Sequence, residues 1–269
     1  MFKYIALDFD GTLLGVDHKI SDRSVAVLKK LQEKGIVVIL CSGRNVTQMD
    51  FVAAKIGTEK YETFIISDNG GVVTEVKDGK RTVLRNAKFR DNELAEILKL
   101  VHRRTKVISA FNDGKRYLAK FYLFEMLRAY FRFKERSIIG LPNQASKILL
   151  IDTREKIEKV YEETKNDILN EFPHLNVFRS VPTLIEVTPE GSTKGQGLEL
   201  VFEKQGWDLK DLIVFGDGEN DISMFEVAGR SVAMANGFDT VKACSDEVCL
   251  ANSEDGVAKY LEQYYESIL

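Results

Sequence analysis

The feature that most constrains the fold of this chain is a rhythm of short, almost wholly apolar runs separated by helical patterns. Tyr4–Phe9, broken only by Asp8, Ile36–Leu40 and Thr63–Ile66 lack the polar–apolar alternation of a half-exposed strand. A strand that is apolar at every position needs cover on both faces, as in a parallel sheet flanked by helices. The spacing predicts those helices. Ser21–Lys34 has Ser21 as a candidate N-cap, Val25, Leu28 and Leu31 at helical spacing, and Gly35 as its end. A second helix runs from about Val46 to Ile56, and Asn69-Gly70-Gly71 closes the third strand.

The rhythm changes after about residue 80. Asn112-Asp113-Gly114 lies between Val107–Phe111 and Arg116–Phe121 and predicts a hairpin turn. Lys147–Asp152 reads as a strand and Arg154–Glu171 as a helix. The parallel rhythm then returns, with Leu184–Val187, a helix at Thr193–Lys204, Leu212–Phe215, a helix at Asn220–Ala228, and Ser231–Met234. Charge changes as well. Residues 80–140 hold 16 Lys and Arg against 6 Asp and Glu, a net of +10, although the whole chain is at -3. The expected fold class is α/β: a Rossmann-like parallel-sheet core made of residues 1–81 and 188–269, interrupted by an inserted α/β module at 82–187.

Composition removes several classes. With 269 residues, 44% hydrophobic and 29% charged, the chain is ordinary for a globular protein with a sizeable core. A net charge of -3 argues against a globally basic nucleic-acid binder. Three cysteines, Cys41, Cys244 and Cys249, form no disulfide framework, and His18, His102 and His174 are too scattered to complete a zinc site. No run approaches the length of a membrane span or of a signal-peptide core. A cytoplasmic protein with reduced thiols is expected.

The chemistry-bearing residues fall just after the apolar strands, at the sheet edge where open α/β folds bind ligands. Asp8-Phe9-Asp10-Gly11-Thr12 places two carboxylates two residues apart after the first strand. Burying them together is costly unless a cation or a proton compensates, and Mg²⁺ favours such hard oxygen ligands. Gly11 permits a sharp turn and Thr12 adds a hydroxyl. Ser42-Gly43-Arg44 follows the second strand and offers a hydroxyl and approachable N–H groups to a phosphate. Lys194, in Gly191-Ser192-Thr193-Lys194-Gly195, lacks the glycine spacing of a P-loop. Gly216-Asp217-Gly218-Glu219-Asn220-Asp221 supplies three carboxylates and an amide but not the twelve-residue pattern of a calcium loop.

In their order and along the whole chain, these four motifs resemble those of the haloacid dehalogenase (HAD) superfamily of phosphohydrolases, in its Cof-type branch. The resemblance implies a Mg²⁺-dependent phosphatase of small phosphorylated metabolites, sugar phosphates or similar monoesters. In that reading Asp8 is the nucleophile that forms an aspartyl-phosphate, and Asp10 is the general acid and base. Mg²⁺ is held by Asp8, the backbone carbonyl of Asp10, and Asp217. Ser42, Gly43, Lys194 and Asn220 hold the phosphoryl oxygens, with Phe9 and Arg44 also counted at the substrate. Thr12 and Asp221 support the metal and Lys194 from behind. The insertion, placed after the third strand, becomes a cap that reads the leaving group, and Arg44, Asn69 and Gly70 are candidates to face it. No nucleic-acid or membrane partner is expected, and no oligomeric state is implied. The rivals are a phosphomutase of the same superfamily, a phospho-receiver module, and a nucleic-acid binder using the +10 segment. A mutase differs in cap placement and a receiver is about half this length; steep salt dependence of nucleic-acid binding would support the third.

Overall fold

The computed structural model describes residues 1–112, 115–120, 138–139 and 144–269. The chain divides into two compact units, one made of Met1–Arg85 and Thr193–Leu269, the other of Asn86–Ser192.

The first unit is built on an eight-stranded sheet. Its parallel part is β14 (Glu247–Cys249), β13 (Arg230–Met234), β12 (Leu212–Gly216), β1 (Tyr4–Leu7), β2 (Val37–Cys41) and β3 (Thr63–Ser67), in that spatial order. β4 (Val72–Lys77) turns back antiparallel to β3, and β5 (Lys80–Asn86) forms the edge. Alternate residues of the apolar strands feed two cores. Ile5, Leu7, Val38, Leu40, Ile213 and Phe215 face α1 (Asp22–Glu33), α2 (Val46–Ile56) and α8 (Gly256–Tyr264). Ala6, Ile39, Cys41, Ile66 and Val214 face α5 (Lys194–Gln205) and α6 (Ile222–Val227). Both faces being covered accounts for the missing alternation in the sequence. Ser21 caps α1 as its pattern predicts, its side chain accepting from the Ser24 N–H. The short α7 (Asp239–Ala243) completes the unit's helices among the described residues.

The second unit is a six-stranded sheet in the order β10 (Asn176–Val181), β11 (Leu184–Thr188), β9 (Lys147–Ile151), β6 (Val107–Asn112), β7 (Lys115–Lys120) and β8 (Ile138–Ile139). Its ladders are antiparallel except for the β7–β8 pair. One sheet face packs Ile108, Ala110, Ile148, Leu150, Ile185 and Val187 against α3 (Glu93–Val101) and α4 (Arg154–Glu171).

Three expectations are corrected. Lys80–Asn86 continues the large sheet, so the first crossing between units comes at 85/86 and not at 81/82. An edge strand needs no apolar face, and its exposed, charged sequence conceals it. The insertion consequently follows the β3–β4–β5 meander and not the third strand. Leu184–Val187, read with the returning parallel rhythm, lies in the second unit as the 82–187 bounds have it: β11 pairs antiparallel with β9 and β10, and the second crossing falls at 192/193 and not at 187/188. β6 and β7 form the expected antiparallel pair, while Asp113 and Gly114 of its turn lie outside the described residues. So does most of Tyr117–Phe133, expected as the aromatic core of the insertion.

Candidate active site

The site is assembled by register. Leu7 of β1 lies opposite Leu40 of β2 and Phe215 of β12, so the chain leaves three adjacent parallel strands at Asp8, Ser42 and Asp217. Neighbouring strands lie about 4.8 Å apart, which brings all three loops to one edge. The Asp8 N–H still donates to the Phe215 carbonyl at 3.1 Å. Gly11 then lets the loop fold over Asp217. Its φ is +88°, and a Cβ there would stand 2.1 Å from an Asp217 oxygen.

Lys194 arrives from the helix side. Thr193 caps α5 and shares a reciprocal capping box with Gln196, which fixes where the helix starts. Leu198, Val201 and Phe202 anchor the helix in the core at about 1.5–3 kcal/mol each. Gly70, with φ +96°, lets the β3 loop approach this helix start, where a Cβ would meet the Thr193 carbonyl at 2.0 Å. Lys194, wholly buried, donates through Nζ to Asp8 and Asp221, each at 2.5 Å.

Asp221 has its acceptors occupied. Oδ1 takes Lys194, while Oδ2 takes the backbone N–H groups of Asp217 at 2.9 Å and Gly218 at 3.0 Å. It therefore orients the lysine and closes the Gly216–Asp221 turn. Asp217 accepts from the Thr12 hydroxyl at 2.9 Å. Asp8, Asp217 and Asp221 each bring a carboxylate oxygen within 4.8 Å of the others. Burial, then the charge of Asp221, raises the Asp8 carboxyl well above its usual range despite Lys194. The same two causes push Asp217 up to about 7. Burial would lower Lys194, but Asp221 and Asp8 outweigh it and hold the ammonium charged. One lysine thus faces three carboxylates, and the deficit is positive charge. A small divalent cation on Asp8 and Asp217 would supply it, and two carboxylate ligands suit Mg²⁺.

Asp10 lives differently. Burial alone would raise it, yet Arg44, then His18, draw it below its usual range. Arg44 is bidentate on it, with Nε to Oδ2 at 2.7 Å and Nη2 to Oδ1 at 2.5 Å.

A model of haloacid dehalogenase-like hydrolases matches residues 5–261 of this chain. The chain belongs to that family. A 5-amino-6-(5-phospho-D-ribitylamino)uracil phosphatase of Bacillus subtilis, YcsE, is 27% identical, over 97% of this chain and 95% of its own. The crystal structure of TM0651 from Thermotoga maritima is 30% identical, with a TM-score of 0.75 over 98% of this chain and 97% of that one. A chloroplastic endoribonuclease of Arabidopsis thaliana is 26% identical over 98% of this chain, which spans 46% of that longer protein.

Within this HAD-family site, the sequence-predicted residues fall into groups. Asp8, Lys194 and Asp221 are in direct contact, as are Thr12 and Asp217. Ser42 is buried, its hydroxyl accepting from the Arg44 N–H at 3.1 Å. Gly43 lies against Asn69, whose amide a Cβ there would approach to 3.1 Å. Asn220 donates to the buried Asn69 at 2.9 Å, so these two amides act as a pair. Phe9 has its ring in the core and has only its backbone to offer the site. Arg44 holds Asp10. His18, which the sequence leaves among scattered histidines, also reaches Asp10, through Nδ1 to Oδ1 at 3.2 Å. The signal that could have found it is its place in the loop that begins at Asp10.

Proposed function

We propose that this HAD-family chain is a Mg²⁺-dependent phosphatase of small phosphorylated metabolites, sugar phosphates or similar monoesters, acting through an aspartyl-phosphate at Asp8. The observation that carries the reading is the buried Lys194 ammonium shared between Asp8 and Asp221. A lysine so placed offsets charge on an attacking carboxylate and on phosphoryl oxygens arriving beside it.

In the first half-reaction an Asp8 carboxylate oxygen bonds to phosphorus, the bond to the leaving oxygen breaks, and Asp10 gives that oxygen its proton. In the second, Asp10 takes a proton from water as the water oxygen bonds to phosphorus. The Asp8–phosphorus bond breaks and inorganic phosphate leaves. Asp8, the Asp10 carbonyl and Asp217 would hold Mg²⁺, which supplies the charge that lets an anionic nucleophile approach an anionic ester. Ser42, the Gly43 N–H, Lys194 and Asn220 would grip the transferring group and keep it in line. Thr12 fixes Asp217 and Asp221 fixes Lys194. The second unit would serve as the cap that reads the leaving group. A cytoplasmic location agrees with three free cysteines and with no helix among the described residues long and apolar enough to cross a membrane.

The test is release of phosphate from a panel of phosphorylated metabolites, with Mg²⁺ and with EDTA. Mg²⁺-dependent release from small monoesters is expected. Release indifferent to chelation would contradict the metal assignment, and no release from any ester would contradict the activity.

A further inference from the structure

We infer that His18 is a positioning residue for Asp10: it tethers one oxygen of the carboxyl group while the other exchanges the proton. This rests on the phosphatase reading above.

The loop that carries His18 is tightly made. The Gly15 N–H donates to the Lys19 carbonyl and the His18 N–H to the Gly15 carbonyl, both at 2.9 Å. The Lys19 N–H donates to the Asp17 side chain at 3.1 Å. This turn puts His18 at φ +57°, the left-handed region that Gly favours and that Asn, Asp and His enter more readily than other residues. Packing does not explain a histidine there, because its side chain is 72% exposed. Its hydrogen-bonding contact is with Asp10 Oδ1. An exposed side chain whose hydrogen bond goes to a carboxylate of the site, and not to the packing around it, points to a role at that carboxylate.

The geometry of Asp10 divides the labour. Arg44 donates to both carboxylate oxygens and favours the ionised form, so its release of one of them makes it easier for Asp10 to carry or receive a proton. An incoming phosphoryl dianion is the competing acceptor for that guanidinium. Oδ1 has a second donor, His18, whereas Arg44 is the donor found on Oδ2. When Arg44 turns to the substrate, Oδ2 is the oxygen set free and Oδ1 stays tethered. His18 Nδ1 is the protonated nitrogen in this contact, since Oδ1 can only accept. Oδ2 then delivers its proton to the leaving oxygen and later takes one from water, without the carboxyl group rotating away between steps.

The test compares esters that differ in their need for a proton. His18→Gly removes the side chain and suits the backbone. His18→Asn suits the backbone and sets an amide nitrogen as many bonds from Cα as Nδ1. Rapid-quench measurement of leaving-group release is made with an alkyl phosphate and with p-nitrophenyl phosphate, whose phenolate leaves unprotonated. His18→Gly should slow release from the alkyl ester by about tenfold, with KM within about twofold, and from the nitrophenyl ester by less than about twofold. His18→Asn should restore the alkyl ester rate to within about threefold of the unaltered protein. Equal losses on both esters, an effect on KM alone, no loss, or no rescue by Asn would overturn the assignment. If the unaltered protein releases neither leaving group, the phosphatase reading itself fails, and this inference with it.

Discussion

Asp8 and Asp10 are two residues apart, yet the molecule treats them in opposite ways. Asp8 sits at the inner side of the loop, buried with Asp217 and Asp221 around one lysine, and its carboxyl group is pushed up. Asp10 sits at the outer side, partly exposed, and two side chains rich in N–H donors draw it down. The inner pocket sets one cation against three carboxylates, whereas the outer one matches its single carboxylate with the Arg44 guanidinium. In the proposed mechanism such a split would separate a nucleophile that needs a cation from an acid and base that needs release from one. The lesson is that one short motif offers two environments because two different elements face it: the helix start at Lys194 on one side, the Ser42–Arg44 loop on the other.

The largest test of this contrast is removal of the inner cation. Lys194→Ala leaves Asp8 and Asp221 without their shared partner. Turnover should fall by about two orders of magnitude or more. Stability should fall too, by about 3–5 kcal/mol at neutral pH, because truncating one member of a buried ion pair strands the others. Thermal melts should show Mg²⁺ recovering part of that loss. A variant that melts and turns over like the unaltered protein would erase the difference between the two pockets.

A middle-sized effect concerns pH. The Asp217 carboxyl, pushed up to about 7, binds an extra proton in the folded, metal-free protein between its ordinary value and 7. Because the folded state holds more protons there, this group's contribution to stability declines as pH rises through that window. Mg²⁺ has to displace the proton, so its affinity should climb about tenfold per pH unit below 7 and level off above. Calorimetric titration of Mg²⁺ between about pH 5.5 and 8 measures this. Asp217→Asn should weaken binding and flatten the slope. A flat profile in the unaltered protein would place the metal elsewhere.

The smallest effect belongs to the outer pocket. Arg44→Ala frees Asp10 and removes one guanidinium that a phosphate can recruit. KM for phosphate esters should rise by about tenfold, with turnover changed less. Steady-state kinetics on one ester suffices. A loss in turnover as large as that of Lys194→Ala would mean that both pockets serve the same step.

Much of this was legible in the sequence, and the exceptions have physical causes. Apolar runs such as Ile36–Leu40 announce burial on both faces, and the residues after them, Asp8, Ser42 and Asp217, follow from strand order alone. Leu184–Val187 misled because an apolar strand reads alike whether its neighbours run parallel or antiparallel. Lys80–Asn86 escaped because an exposed edge strand carries little hydrophobic signal. Lys194 stands 186 residues from Asp8, so only the resemblance to a family of known motifs joined them. The pairing of Arg44 and His18 with Asp10 depends on side-chain direction and on a turn with positive φ, neither of which residue spacing encodes.

The most direct test is to catch the phosphoryl group on Asp8. The protein with Mg²⁺ is mixed with a turned-over phosphate ester, quenched in acid within the first turnover, and digested for peptide mass analysis. The account predicts one phosphoryl group on the peptide containing Asp8, formed no more slowly than turnover and absent in Asp8→Asn, which should lose nearly all activity while staying folded. A phosphoryl group on another residue, or a folded Asp8→Asn protein that keeps substantial turnover, would contradict it.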